Sequence, residues 1–94
     1  MDILGVIRKN EAQIKERFKV KKIGIFGSSV RGEAKKDSDI DVLVEFEEGK
    51  KTFDNFMDLT FFLEEVFGRK VDLVTREALR PELKTSILKE VAYA

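Results

Sequence analysis

The sequence predicts an α/β (α+β) domain in which helices pack on a small mixed sheet of three to four strands. Three observations carry that expectation. Apolar residues recur at helical spacing near the start and again between Thr52 and Phe67, and short apolar runs of strand length stand at Ile23, Ile40 and Val71. The two patterns alternate along the chain, which is the signature of strands covered by helices.

Asp2 is placed to cap a first helix over Ile3 to Phe18, with Ile3, Ile7, Ile14 and Phe18 on one side and Arg8, Lys9, Glu11 and Lys15 toward water. The run Ile23-Gly24-Ile25-Phe26, bounded by Gly27, suits a buried strand. Ser28 then stands where an N-cap belongs, opening a short helical turn that Gly32 weakens. A polar loop, Glu33 to Ser38, leads to a second strand over Asp39 to Phe46. Its period of two puts Ile40, Val42, Val44 and Phe46 on one face and Asp39, Asp41, Leu43 and Glu45 on the other.

Glu47 to Lys51 reads as a solvent loop, Thr52 to Phe67 as a helix, and Lys70 to Thr75 as a third strand after the Gly68-Arg69 break. Thr75 can cap a short segment. Pro81 and Glu82 open a terminal helix with Leu83, Ile87 and Val91 on one side. No repeat or linker interrupts residues 1–94, which read as a single domain.

Composition narrows the chemistry. With 94 residues and 43% hydrophobic content there is room for one core. The absence of cysteine and histidine excludes disulfides, thiolate or imidazole zinc sites, and nucleophile pairs that use histidine as base. What remains is carboxylates, hydroxyls, Lys, Arg and backbone. The 18 basic and 18 acidic residues cancel, so direct nucleic-acid binding is disfavoured. An acid at position 2 and an interrupted apolar run argue against a signal peptide or membrane span, and the chain reads as cytoplasmic.

Gly27 to Gly32 has the spacing of a P-loop, but Glu33 and Ala34 follow where a lysine and a hydroxyl are needed to hold phosphates and magnesium. Asp37-Ser38-Asp39-Ile40-Asp41 begins like a calcium loop. Val42 then occupies the position where glycine must make the sharp turn, and the flanks alternate like a strand.

A third pattern survives: Gly27-Ser28, ten residues, then Asp39-Ile40-Asp41. A strand that ends in Gly-Ser lets backbone come close to a phosphate, and the hydroxyl adds a donor. Carboxylates at i and i+2 of a strand lie roughly 6 to 7 Å apart, a span that suits a hard divalent cation such as Mg2+. Asp72, between Val71 and Leu73, supplies a third acid if its strand lies beside the second. Singly, each of these residues has an ordinary reading as a cap, a turn or a surface charge. Together they form a site.

Gly27-Ser28-x10-Asp39-x-Asp41 followed by Asp72 resembles the nucleotidyltransferase superfamily that includes DNA polymerase beta. Val30-Arg31-Gly32-Glu33 and Ser38-Asp39-Ile40-Asp41-Val42-Leu43-Val44 look like the minimal nucleotidyltransferases, the antitoxins of HEPN/MNT toxin-antitoxin modules. Val30 departs from the alanine that members often carry there.

The resemblance implies a nucleotidyltransferase fold, ATP as substrate and a two-metal Mg2+ site. Asp39, Asp41 and Asp72 would be the catalytic, metal-holding acids; Gly27, Ser28, Ser38 and Arg31 would bind the nucleotide. It also implies a HEPN-domain toxin as partner, silenced by transfer of AMP to a tyrosine. Two other readings stay open: a non-catalytic module that neutralises its partner by contact, and nucleotidyl transfer to a small molecule or an RNA end.

A partner is expected on physical grounds as well. Phe53, Phe56, Met57, Leu59, Phe61, Phe62, Leu63, Val66 and Phe67 wrap well over half of their helix, whereas a stripe of about 100° suffices to face one core. The excess points either to a second buried surface, filled by another protein or by a second copy of the chain, or to a helix buried deep within this domain.

Overall fold

The computed structural model describes residues 2–31 and 39–94, and of Arg31 the backbone alone. Four strands form one sheet in the order β3-β2-β1-β4. They are β1 (Val20–Ile25), β2 (Ile40–Phe46), β3 (Val71–Thr75) and β4 (Ala92–Tyr93), with β2 antiparallel to β1 and parallel to β3. The helices are α1 (Ile3–Lys9), α2 (Glu11–Phe18), the single turn α3 (Ser28–Arg31), α4 (Phe53–Phe67) and α5 (Pro81–Glu90). A 3-10 turn, Arg76–Ala78, follows β3.

The core forms where α1, α2 and α4 meet one face of the sheet. Ile7, Ile14, Phe18 and Leu63 are at most 2% exposed and join Ile23, Val42 and Val44 in one cluster. The alternation of β2 decides which face this is. Ile40, Val42 and Val44 point into the cluster, so Asp41 and Glu45 must point away from it.

Two expectations on the helices need correction. The first helix is broken at Asn10, whose backbone leaves helical geometry at φ −106°, ψ 6°, while its side-chain amide donates to the Val6 carbonyl. The same apolar stripe continues across the break, which is why spacing alone reads one helix. The terminal helix stops at Glu90. Val91 is its cap, and Ala92 and Tyr93 pair with Ile25 and Gly24 as an edge strand too short to show a period.

Capping follows the chain's own signals elsewhere. Asp2 accepts from the Gly5 N–H at 3.0 Å, and Thr52 accepts from the Asn55 N–H at 3.1 Å. Thr75 does not cap: its hydroxyl is buried without a hydrogen-bond partner among the described residues. β1 begins at Val20, three residues earlier than its apolar run, because Val20 and the exposed Lys22 pair with Phe46 and Glu45 across a bulge at Lys21. Among the described residues no helix is long and apolar enough to cross a membrane.

Candidate active site

The site forms where β1 ends and β2 and β3 begin. Ile25 pairs with Val42, and one step on, the Phe26 N–H donates to the Asp41 carbonyl at 3.2 Å. The chain then turns at Gly27, whose φ of +62° lies in the left-handed region that a side chain resists. Space there is also closed. A Cβ added to Gly27 would stand 2.5 Å from Asp41 Oδ2, so glycine is what lets the turn lie against that carboxylate.

The turn that follows holds Asp41 from the other side. The Val30 N–H donates to the Gly27 carbonyl at 3.2 Å, winding the chain into α3. Ser29 Oγ then accepts from the Asp41 N–H at 3.1 Å. Asp41 thus accepts from the Phe26 N–H at its carbonyl, donates its N–H to Ser29, and has its carboxylate in the space that a Gly27 side chain would fill. Ser29 did not emerge from the sequence reading. Its only trace is the Ser28-Ser29 doublet, in which the first serine occupies the position a cap would take; in the structure Ser28 is already the first residue of α3, and Gly27 precedes the helix.

Asp72 is brought in by register. The parallel ladder aligns Asp41 with Asp72, flanked by the pairs Ile40 with Val71 and Val42 with Leu73, all four of which are buried in the core. Aligned residues of neighbouring strands project from the same face. The two acids therefore share the face opposite the core, with Asp41 half-buried and Asp72 exposed. Two like charges side by side on one face are destabilising unless a cation offsets them.

Asp39 lies one residue before β2 and is exposed. Ser38 and the side chain of Arg31 lie outside the described residues. Among the described residues no three acids stand close enough to hold a metal ion as a group, so the expected three-acid cluster is present as an aligned pair with Asp39 beside it. The donor chemistry of that pair, hard carboxylate oxygens next to a turn built for close approach, fits magnesium.

The same face continues as a separate cluster. Past Leu43, which is fully buried, Glu45 meets Arg76 at 3.6 Å, and Lys22 stands over the Tyr93 ring with its Nζ 5.5 Å from the centroid. Burial raises the pKa of Tyr93 above its ordinary value; the charge of Glu45 adds to this and that of Arg76 offsets part of it.

A nucleotidyltransferase-domain model matches residues 7–94. The chain belongs to the nucleotidyltransferase family. It is 42% identical over 92 residues to the protein adenylyltransferase MntA of Thermococcus cleftensis, a match that covers 98% of this chain and 92% of that one.

Among solved structures, a minimal nucleotidyltransferase superposes with a TM-score of 0.81 at 37% identity, covering 98% of this chain and 95% of the other. The MNT antitoxin complex with a tri-AMPylated HEPN toxin from Shewanella oneidensis superposes with a TM-score of 0.67 at 19% identity, covering 99% of this chain and 71% of that one, and shares the fold. This nucleotidyltransferase is therefore an enzyme by family. Its Asp41 and Asp72 are paired across strands β2 and β3, a placement that its sequence left conditional on the two strands lying side by side.

Proposed function

We propose that this nucleotidyltransferase moves AMP from ATP to a tyrosine hydroxyl of a HEPN-domain toxin and thereby acts as its antitoxin in the cytoplasm. The observation that carries the reading is the alignment of Asp41 with Asp72 beside the Gly27 turn. It is supported by the adenylyltransferase name of the Thermococcus relative and by solved structures described as toxin-antitoxin complexes, one of them with AMP-PNP.

The residues divide the work by position. Gly27 lets backbone and the Ser28 hydroxyl approach the triphosphate, with Ser38 and Arg31 following as further phosphate contacts. Asp39, Asp41 and Asp72 would hold magnesium, which when bound offsets the charge of the triphosphate and of the leaving pyrophosphate. The tyrosine oxygen attacks the α-phosphorus and forms the new P–O bond. The bond to the β-phosphate oxygen breaks, and its electron pair leaves with pyrophosphate. Asp72, the exposed member of the pair, receives the hydroxyl proton. Ser29 and Gly27 keep the Asp41 carboxylate where the reaction needs it.

Intact-mass analysis tests the reading. After incubation with this protein, ATP and magnesium, a HEPN-domain protein supplied as acceptor is expected to gain the mass of AMP at a tyrosine. A partner that is bound and neutralised but unmodified would establish the contact-only module instead, and AMP found on an RNA end or small molecule would move the acceptor there.

A further inference from the structure

Helix α4 carries more apolar side chains than the core takes. Leu59, Leu63 and Phe67 are buried, yet Phe53 and Phe61 on another side are 78% and 57% exposed, with Met57 one turn from each. Residues four apart line up along a helix, so the three form a continuous apolar row. Asp54 and Asp58 lie beside it, and all five residues line one shallow groove. The helix holds four acids, Asp54, Asp58, Glu64 and Glu65, and no Lys or Arg.

The row ends at a second feature. Phe53 also forms a wall of a cavity of about 400 Å³ closed by Phe56, Leu73, Thr75 and Ala78. Its β3 walls are Leu73, Val74 and Thr75, and none of Gly27, Asp39, Asp41 or Asp72 lines it. Thr75 is 2% exposed, and its hydroxyl has no partner among the described residues.

We propose that this row and its cavity are the docking surface for the acceptor protein, which presents an amphipathic helix whose apolar stripe is flanked by Lys or Arg. One large apolar side chain enters the cavity as the anchor. The inference rests on the partner-directed transfer proposed above and names where that partner sits.

Charge complementarity selects the occupant. Cations opposite Asp54 and Asp58 would add attraction along the row, whose basic neighbour in the cavity lining is Lys51, and a second copy meeting it through the same face would bring the same cation-free helix. An apolar row that ends in a pocket is the arrangement in which a few anchors carry most of an interface's energy. Docking here leaves the end of the sheet that carries Asp41 and Asp72 free to meet the acceptor tyrosine.

Titration calorimetry with the same HEPN-domain acceptor protein tests the surface. Phe53 and Phe61 are exposed, so Phe53→Ala and Phe61→Ser leave the fold intact, which thermal melts check. Each is expected to weaken binding by roughly 30-fold or more, as interface anchors do. The double variant Asp54→Lys/Asp58→Lys is expected to weaken it further at low salt than at high salt.

If the wild-type chain binds and these variants bind equally well, the docking surface is wrong and the transfer reading stands. If the wild-type chain does not bind the HEPN protein, both fall. If sedimentation shows the chain self-associating and Phe61→Ser abolishes that, the face belongs to a second copy and the proposal is overturned.

Discussion

Replacing Gly27 with alanine should damage the active site far more than the fold. The substitution carries two costs that can be read separately. The first is conformational: a φ of +62° costs a residue with a side chain about 1 to 2 kcal/mol. The second is spatial. The new methyl would lie 2.5 Å from Asp41 Oδ2, where an ordinary contact begins at 3.4 Å, so the carboxylate must retreat by about 0.9 Å.

A group misplaced by about 1 Å can cost on the order of 10²-fold in rate. For a chain of this size each kcal/mol lowers Tm by roughly 4 to 8 °C. The expected outcome is a Tm lowered by about 5 to 15 °C. AMP transfer, measured at a temperature where the variant is still folded, should fall by on the order of 100-fold. The assay is transfer of labelled AMP from ATP, with circular dichroism to confirm folding. A folded Gly27→Ala protein that transfers AMP at the wild-type rate would refute the placement of Asp41 against the turn.

Two further predictions test how the site and the rest of its face are held. Ser29→Ala leaves the Asp41 N–H without its acceptor, so stability should fall by about 1 to 3 kcal/mol in urea titrations, and transfer should fall with it. Unchanged stability and rate would remove Ser29 from the site. Tyr93 keeps its proton more tightly in the folded chain than unfolded, so its contribution to stability is present below the ordinary tyrosine value of 10.0 and is lost as pH rises above it. Melts between neutral pH and strongly alkaline pH should therefore show a steeper alkaline loss for the wild-type chain than for Tyr93→Phe; equal slopes would contradict the burial of that hydroxyl.

Much of this was legible in residue order because the physics involved is periodic. Alternation along Ile40 to Phe46 placed the acids of β2 on the face away from the core, and the wide apolar circumference of Phe53 to Phe67 foretold a face the core would not cover. What the sequence hid was aperiodic or long-range. Nothing in the spacing marks Asn10 as a break, since Ile7 and Ile14 serve the same core from either side of it. Ala92 and Tyr93 are too few to alternate, and they lie against Gly24, where a Cβ would stand 2.6 Å from the Ala92 carbonyl oxygen.

Ser29 illustrates the same point at the site. Its role comes from a hydrogen bond across twelve residues, and next to Ser28 it looked like a spare. The pairing of Asp41 with Asp72 depended on β3 lying parallel to β2 in one register, which local pattern permits but cannot select.

The most direct measurement is the rate of AMP transfer by Asp41→Asn, a change that keeps the side chain's size while removing its charge. The account predicts a folded protein with transfer reduced by at least about 10²-fold, as expected when a group that stabilises charge at the reacting phosphate is lost. Transfer at the wild-type rate would contradict it.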